Sequence, residues 1–170
     1  MSAGPHYFGK YRATVLNNVD PMLQGRIQVQ LGDRYGLFPS TWALPAFPMA
    51  AKGCAIVALP QLGSMVWIEF EAGDTDYPIW TGAFWADPGG FPPLAVAGGT
   101  PATPAIHLQT TTGTSVTLSD NPAQNVMIKT TTGALVMIGA AGITISNGQG
   151  ASIAMTGPSV IINNGALTIT

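Results

Sequence analysis

The second half of this 170-residue sequence is written in short repeats. Thr110-Thr111-Thr112-Gly113 returns as Thr130-Thr131-Thr132-Gly133, then in degenerate form as Asn147-Gly148-Gln149-Gly150 and Asn163-Asn164-Gly165. Each turn is preceded by a short run: Ile106-His107-Leu108-Gln109, Val126-Met127-Ile128-Lys129, Ile143-Thr144-Ile145-Ser146 or Val160-Ile161-Ile162. Each is followed by another: Ser115-Val116-Thr117-Leu118, Ala134 to Ile138, Ser152-Ile153-Ala154-Met155 or Ala166-Leu167-Thr168-Ile169. Alternation with a period of two means strand, because successive strand side chains point to opposite faces. Repetition at a short period is the mark of a solenoid or a stacked-strand fibre.

Such strands put Ile, Val, Leu and Met on one face and Thr, Ser, Asn or Gln on the other. A strand this short cannot bury its apolar face alone, and roughly 65 residues with no second sheet cannot build a monomeric core. A single-chain solenoid usually needs about 20 or more residues per coil and capping at its ends. Here the closing glycines Gly113, Gly133, Gly150 and Gly165 fall 20, 17 and 15 residues apart, with two strands between them. Three chains, each giving a strand to every layer, enclose a core that one chain cannot. The expectation is an intertwined trimeric β-helix, or β-prism, of eight layers and roughly 40 Å at ~4.8 Å per strand step. Its core is expected to be lined by Val116, Leu118, Val126, Ile128, Ile143, Ile145, Ile153, Met155, Leu167 and Ile169. A rod of this kind has no free edge along its length, packs densely and unfolds slowly, properties that suit a mechanical part.

The first half is built differently. Of the charged side chains only Asp87, Asp120 and Lys129 lie beyond Ala86, and Trp42, Trp67, Trp80 and Trp85 all lie before it. Between the halves, Asp87-Pro88-Gly89-Gly90-Phe91-Pro92-Pro93 and Gly98-Gly99-Thr100-Pro101-Ala102-Thr103-Pro104 read as an extended Pro/Gly linker. Strands are predicted at Lys10 to Leu16, at Arg26 to Leu31 (Ile27, Val29 and Leu31 on one face), at Met65 to Phe70 and at Tyr77 to Trp85. Cys54-Ala55-Ile56-Val57-Ala58-Leu59 reads as a fully buried strand, with Cys54, the sole cysteine, as a small buried hydrophobe. About five strands in this space, with no helical periodicity, suggest a small closed β-barrel. The predicted organisation is an arm (1–8), a barrel (9–86), a linker (87–105) and a spike (106–170).

Composition excludes several functions. A formal net charge of −2, with only 8% of residues charged, leaves no basic footprint for nucleic acid. Met1 to Arg12 lacks the apolar core of a signal peptide, and no apolar run approaches ~18 residues, so synthesis in the cytoplasm without stable membrane insertion is expected. Glu69, Glu71, Asp74 and Asp76 form the one acidic cluster; paired carboxylates can do acid–base work, but a turn in which Asp caps backbone N–H groups accounts for them more simply. His107 is expected at the surface or on the axis, where three copies could ring an ion. No phosphate loop, catalytic triad or zinc spacing is present, and neither a cofactor nor a metal is expected.

Within the barrel half, Gly9-Lys10-Tyr11-Arg12-Ala13-Thr14-Val15, Asn18-Val19-Asp20-Pro21 and Gly25-Arg26-Ile27-Gln28-Val29 follow one another in an order that resembles the OB-fold domain of phage baseplate assembly protein V and of type VI secretion spikes. Leu59-Pro60-Gln61-Leu62-Gly63-Ser64-Met65-Val66-Trp67-Ile68-Glu69-Phe70 and Gly73-Asp74-Thr75-Asp76-Tyr77-Pro78-Ile79-Trp80-Thr81-Gly82 continue the resemblance. It implies an all-β chain: an OB barrel docked in a baseplate hub, a homotrimeric β-helical spike pointing at the target envelope, and assembly in a virion tail or injection particle. Hub or trimer contacts would then fall to Tyr7, Phe8, Trp42 and Trp85. Lysozyme and the His-x-His iron tip found in some members have no counterpart here, which implies a separate PAAR-type tip protein at the C-terminal end. Two other classes compete with a structural spike: a polysaccharide-degrading β-helical enzyme and an OB-fold nucleic-acid binder.

Overall fold

The computed structural model describes residues 6–32, 39–93, 95 and 103–169. It divides into two compact units, Met1–Gly90 and Phe91–Thr170. The described elements are strands joined by turns and single-turn 3-10 helices.

The first unit is a five-stranded barrel. β1 (Tyr11–Asn17) pairs antiparallel with β2 (Gln28–Gln30) and with β6 (Met65–Phe70); β6 pairs with β7 (Pro78–Phe84), and β7 runs parallel to β3 (Leu44–Pro45). An antiparallel bridge from Ile27 to Ala43 joins the β2 and β3 ends and closes the ring. This is the partly open, five-stranded Greek-key arrangement of an OB fold. The strict alternation seen in the sequence is what fills it. Ala13 and Val15 of β1, Ile27, Val29 and Leu31 around β2, and Val66, Ile68 and Phe70 of β6 are all buried, with Trp80 of β7 and Ala43. Trp80 also donates its Nε1–H to the Gly25 carbonyl at 3.1 Å, which satisfies its polar edge inside the core.

Two expectations for this half need correction. Cys54 to Leu59 is not a buried strand: only β5 (Cys54–Ala55) pairs, with β4 (Ala50–Ala51), as a two-stranded hairpin outside the barrel ladder. Cys54 is exposed, and so are Ile56, Val57 and Leu59. The barrel closes without this segment, because β3 and β7 already complete the ring, so its apolar run is left on the surface. The described part of the arm is held against the barrel. Tyr7 donates its N–H to the Gly73 carbonyl at 2.9 Å and packs edge-on against Phe70.

The second unit is one eight-stranded antiparallel meander. It runs from β8 (Ala105–Gln109) through β9 (Ser115–Ser119), β10 (Val126–Lys129), β11 (Leu135–Gly139), β12 (Gly142–Ser146), β13 (Ser152–Thr156) and β14 (Ser159–Ile162) to β15 (Leu167–Ile169). Every strand pairs with its neighbour in sequence. Within this chain, each strand thus finds its ladder partner in the strand next to it in sequence. The physical reason lies in the turns. Ala140-Ala141 and Gly157-Pro158 are two-residue connections, which reach only the adjacent antiparallel strand of the same chain.

The repeated turn motif has a common construction. Thr110 and Thr130 each accept a backbone N–H on Oγ1, from Thr114 at 3.2 Å and from Ala134 at 3.1 Å. In the third repeat Asn147 takes over with Oδ1, accepting from Ala151 at 3.0 Å. Gly113, Gly133 and Gly150 sit at φ 96°, 90° and 105°, where a side chain is disfavoured, which is why the motif ends in glycine each time. Thr-x-x-Gly and Asn-x-x-Gly are thus two chemical versions of one turn.

Candidate functional site

Two surfaces stand out, one in each unit. In the second, the ladder registers align two apolar residues from each of the eight strands on one face, while Met127, Leu135, Met137 and Ile161 fall on the other. Leu118 lies opposite Val126 and Val116 opposite Ile128; Val126 opposes Ile138, and Ile128 opposes Val136. Ile143 and Ile145 follow, opposite Met155 and Ile153, and Ile162 and Val160 lead on to Leu167 and Ile169. All ten residues expected in the trimer core lie on this face. Ile106 and Leu108, Val136 and Ile138, and Val160 and Ile162 join them, and the same alternation in the sequence signals these six as well.

The chain itself does not cover this face. Ile106 and Leu108 are 65% and 67% exposed, and Leu118, Ile128, Ile145, Leu167 and Ile169 are each more than a third exposed. The buried residues lie on the opposite face: Ser115, Thr117 and Ser119 are the only buried ones among the described strands of this unit. A continuous apolar sheet face of this extent on one chain marks an interaction surface.

His107 belongs to the opposite face, with Thr117. Its Nδ1 accepts the Thr117 hydroxyl at 2.8 Å, and Nε2–H donates to Gln109 Oε1 at 3.1 Å. The two faces are back to back, so an axis lined by the first leaves His107 outside it. Among the described residues no three His, Cys, Asp or Glu side chains gather as a metal set would require.

In the first unit, the loop from Asn18 to Gly25 and the β4–β5 hairpin wall a groove of about 550 Å³, with Val19, Leu23, Phe47, Val57 and Leu59 among its lining. The loop is tied together by Asp20. The buried Asp20 carboxylate accepts Arg26 Nη2 at 2.6 Å and both its oxygens lie 3.1 Å from Nε, a forked pair. It also accepts the backbone N–H groups of Met22, Gln24 and Arg26 at 3.0, 2.8 and 3.2 Å. The Arg26 guanidinium, and then these N–H groups against the opposing effect of burial, hold the Asp20 carboxyl well below the usual carboxylate range. Arg26 in turn lies over the Trp42 ring, 5.3 Å from its centroid. Asn18 Nδ2 ties the loop to the Pro60 carbonyl at 2.9 Å. Gly25, at φ 74°, faces Phe47: a Cβ there would come within 2.9 Å of the ring. The signal in the sequence was Asp20-Pro21 followed by Gly25-Arg26, a fixed spacing between a turn acid and a base.

The remaining site candidates are scattered. Trp42 lies half-buried under Arg26, Trp85 is exposed beside Gly90, Phe8 is exposed, and Tyr7 packs on the barrel. Trp67 is on the outer barrel face, 4.6 Å from Phe84 with Arg12 over both rings. The acidic cluster does not converge. Asp74 Oδ1 accepts the Asp76 N–H at 3.0 Å, and Glu69 pairs with Lys10 at 2.8 Å on the solvent side. No helix among the described residues is long and apolar enough to cross a membrane.

Two family models match this chain in tandem. Residues 11–85 match the type VI secretion system/phage-baseplate injector OB domain, and residues 105–168 match the phage baseplate V C-terminal trimerisation domain. No curated protein matches the chain. The two matches cover most of the sequence and fall on the barrel and on the meander, and the chain belongs to the phage baseplate V spike family.

Proposed function

From this membership we propose that the protein is the central spike of a contractile tail or injection particle, a homotrimer that transmits force and carries no catalytic site. The observation behind this reading is the eight-strand sheet with one apolar face open in the single chain. Three such faces packed about an axis form a prism with two apolar residues per strand from each chain. At about 25 cal/mol per Å² of apolar surface removed from water, closing a face of this length favours assembly by many kcal/mol. The hydrogen-bonded ladder of each sheet runs along the stack, so axial load falls on paired strands and a close-packed core of low compressibility. The barrel docks in a baseplate hub, and a separate tip protein sits on the β15 end. Electron microscopy of particles carrying a label on this chain tests the assignment. Density on the baseplate axis is expected; label on the sheath or on peripheral fibres would overturn it.

A further inference from the structure

Directly after the barrel's β4–β5 hairpin come four apolar residues, Ile56-Val57-Ala58-Leu59, part of the run that reads as a buried strand yet stands open on this chain. Its two sides differ. Ala55, Val57 and Leu59 line the groove, whereas Ile56 does not. Ile56 donates its N–H to the Met49 carbonyl at 3.1 Å, and these two exposed side chains, 57% and 42% accessible, form a ridge beside Cys54. A single short hairpin therefore has a groove on one side and an apolar ridge on the other.

We propose that the barrels of neighbouring copies pack ridge into groove, with Met49 and Ile56 of one copy entering the groove walled by Val19, Leu23, Phe47, Val57 and Leu59 of the next. Three observations select a second copy as the occupant. Between Thr41 and Ser64 the only charged residue is Lys52, and in the loop Asp20 is consumed by Arg26, so the surface offers no charge pattern for a foreign partner to read. The matched C-terminal trimerisation domain tethers three barrels to one stem, which raises their mutual concentration to about the millimolar range. Ridge and groove are different patches, and a heterologous contact of that kind closes into a ring when the rotation permits, as a three-fold does.

This contact rests on the trimer reading above, and the test separates the two. In the full-length chain Cys54 is a built-in reporter: it is exposed on one chain and is covered if the ridge is seated. Native mass spectrometry and the rate of maleimide labelling are measured together. The expected result is a trimer whose Cys54 labels at least about tenfold more slowly than in the denatured chain. Ile56→Glu and Leu23→Glu, both at exposed positions, should each restore fast labelling while the trimer mass persists. Ile56→Glu combined with Leu23→Lys should regain protection by pairing across copies. A wild-type trimer in which Cys54 labels as fast as in the denatured chain overturns the barrel contact alone. So does slow labelling that neither glutamate changes. A wild-type monomer overturns the trimer reading and this contact with it.

Discussion

The barrel and the meander bury opposite kinds of residue. In the barrel the core is Ile27, Val29, Val66, Ile68 and Trp80, while Arg12, Lys10 and Glu69 lie outside. In the meander Ser115 and Thr117 are 2% and 1% exposed, while Ile106, Leu108 and Ile169 stand more than half exposed. Both halves obey the same alternation, and both make their backbone hydrogen bonds within one chain. They differ only in whether the strip of strands curls back on itself. The barrel closes through the Ile27–Ala43 bridge, so one chain completes its core. The meander stays an open sheet, so its core awaits other copies. A solved backbone and a solved core are thus separate achievements, and in this protein the second half has only the first of them.

The contrast can be broken most forcefully on the open face. Ile145→Asp places a carboxylate in each chain at one layer, and burying an unpaired ion costs several kcal/mol even after relaxation. The full chain should then sediment as a monomer while its near-ultraviolet tryptophan signal, which arises in the barrel, is kept. Ile145→Val removes one methylene, at about 0.5–1.5 kcal/mol per chain, and should leave the trimer intact. Equal association by wild type and Ile145→Asp would remove the apolar face from the interface.

A smaller effect comes from the turns. A Cβ at Gly142 would collide with the Met155 carbonyl oxygen, whereas one at Gly157 meets nothing nearby. Both glycines have positive φ, 129° and 55°. Gly142→Ala should therefore lower the sheet's melting temperature clearly more than Gly157→Ala, whose strain amounts to about 1–2 kcal/mol. Comparable losses in calorimetry would deny the close approach of Gly142 on β12 to the Met155 carbonyl on β13.

Within the barrel, Asp20→Asn should lower its Tm by roughly 5 °C or more at neutral pH. The pH dependence has a definite sign. The carboxyl's pKa is depressed on folding, so its stabilising effect is complete above the unfolded value of about 3.9 and is lost as pH falls below it. Thermal melts between pH 5 and pH 2 should show the wild-type barrel losing stability more steeply than Asp20→Asn. Arg26 is held protonated more firmly by the same pair and does not titrate in that range. The smallest change expected is Glu69→Gln. Its partner Lys10 is half exposed, and a solvent-screened pair is worth under about 1 kcal/mol, so Tm should barely move.

The sequence made the strand faces plain. Met65 to Phe70 is a strand at those bounds, and Ile27, Val29 and Leu31 are buried together. The Cys54 to Leu59 run misled because a strand hidden in a core and a hairpin hidden by another chain demand the same apolar side chains. Desolvation leaves the same trace in either case. The Asp20–Arg26 pair escaped because residues six apart meet in neither a helix nor a strand, only in a loop with Leu23 at φ 54°. Alternation alone leaves open whether strands pair within a chain or between chains. The two-residue turns at Ala140-Ala141 and Gly157-Pro158 answer it for the strands they join, since they leave no length to cross to another copy.

Sedimentation or native mass measurement on the full chain tests most directly whether the second unit is completed only in assembly. The account predicts three times the 17.5 kDa chain mass, retained on dilution. A stable, folded monomer that keeps its eight strands, with Ile106, Ile145 and Ile169 open to water, would contradict it.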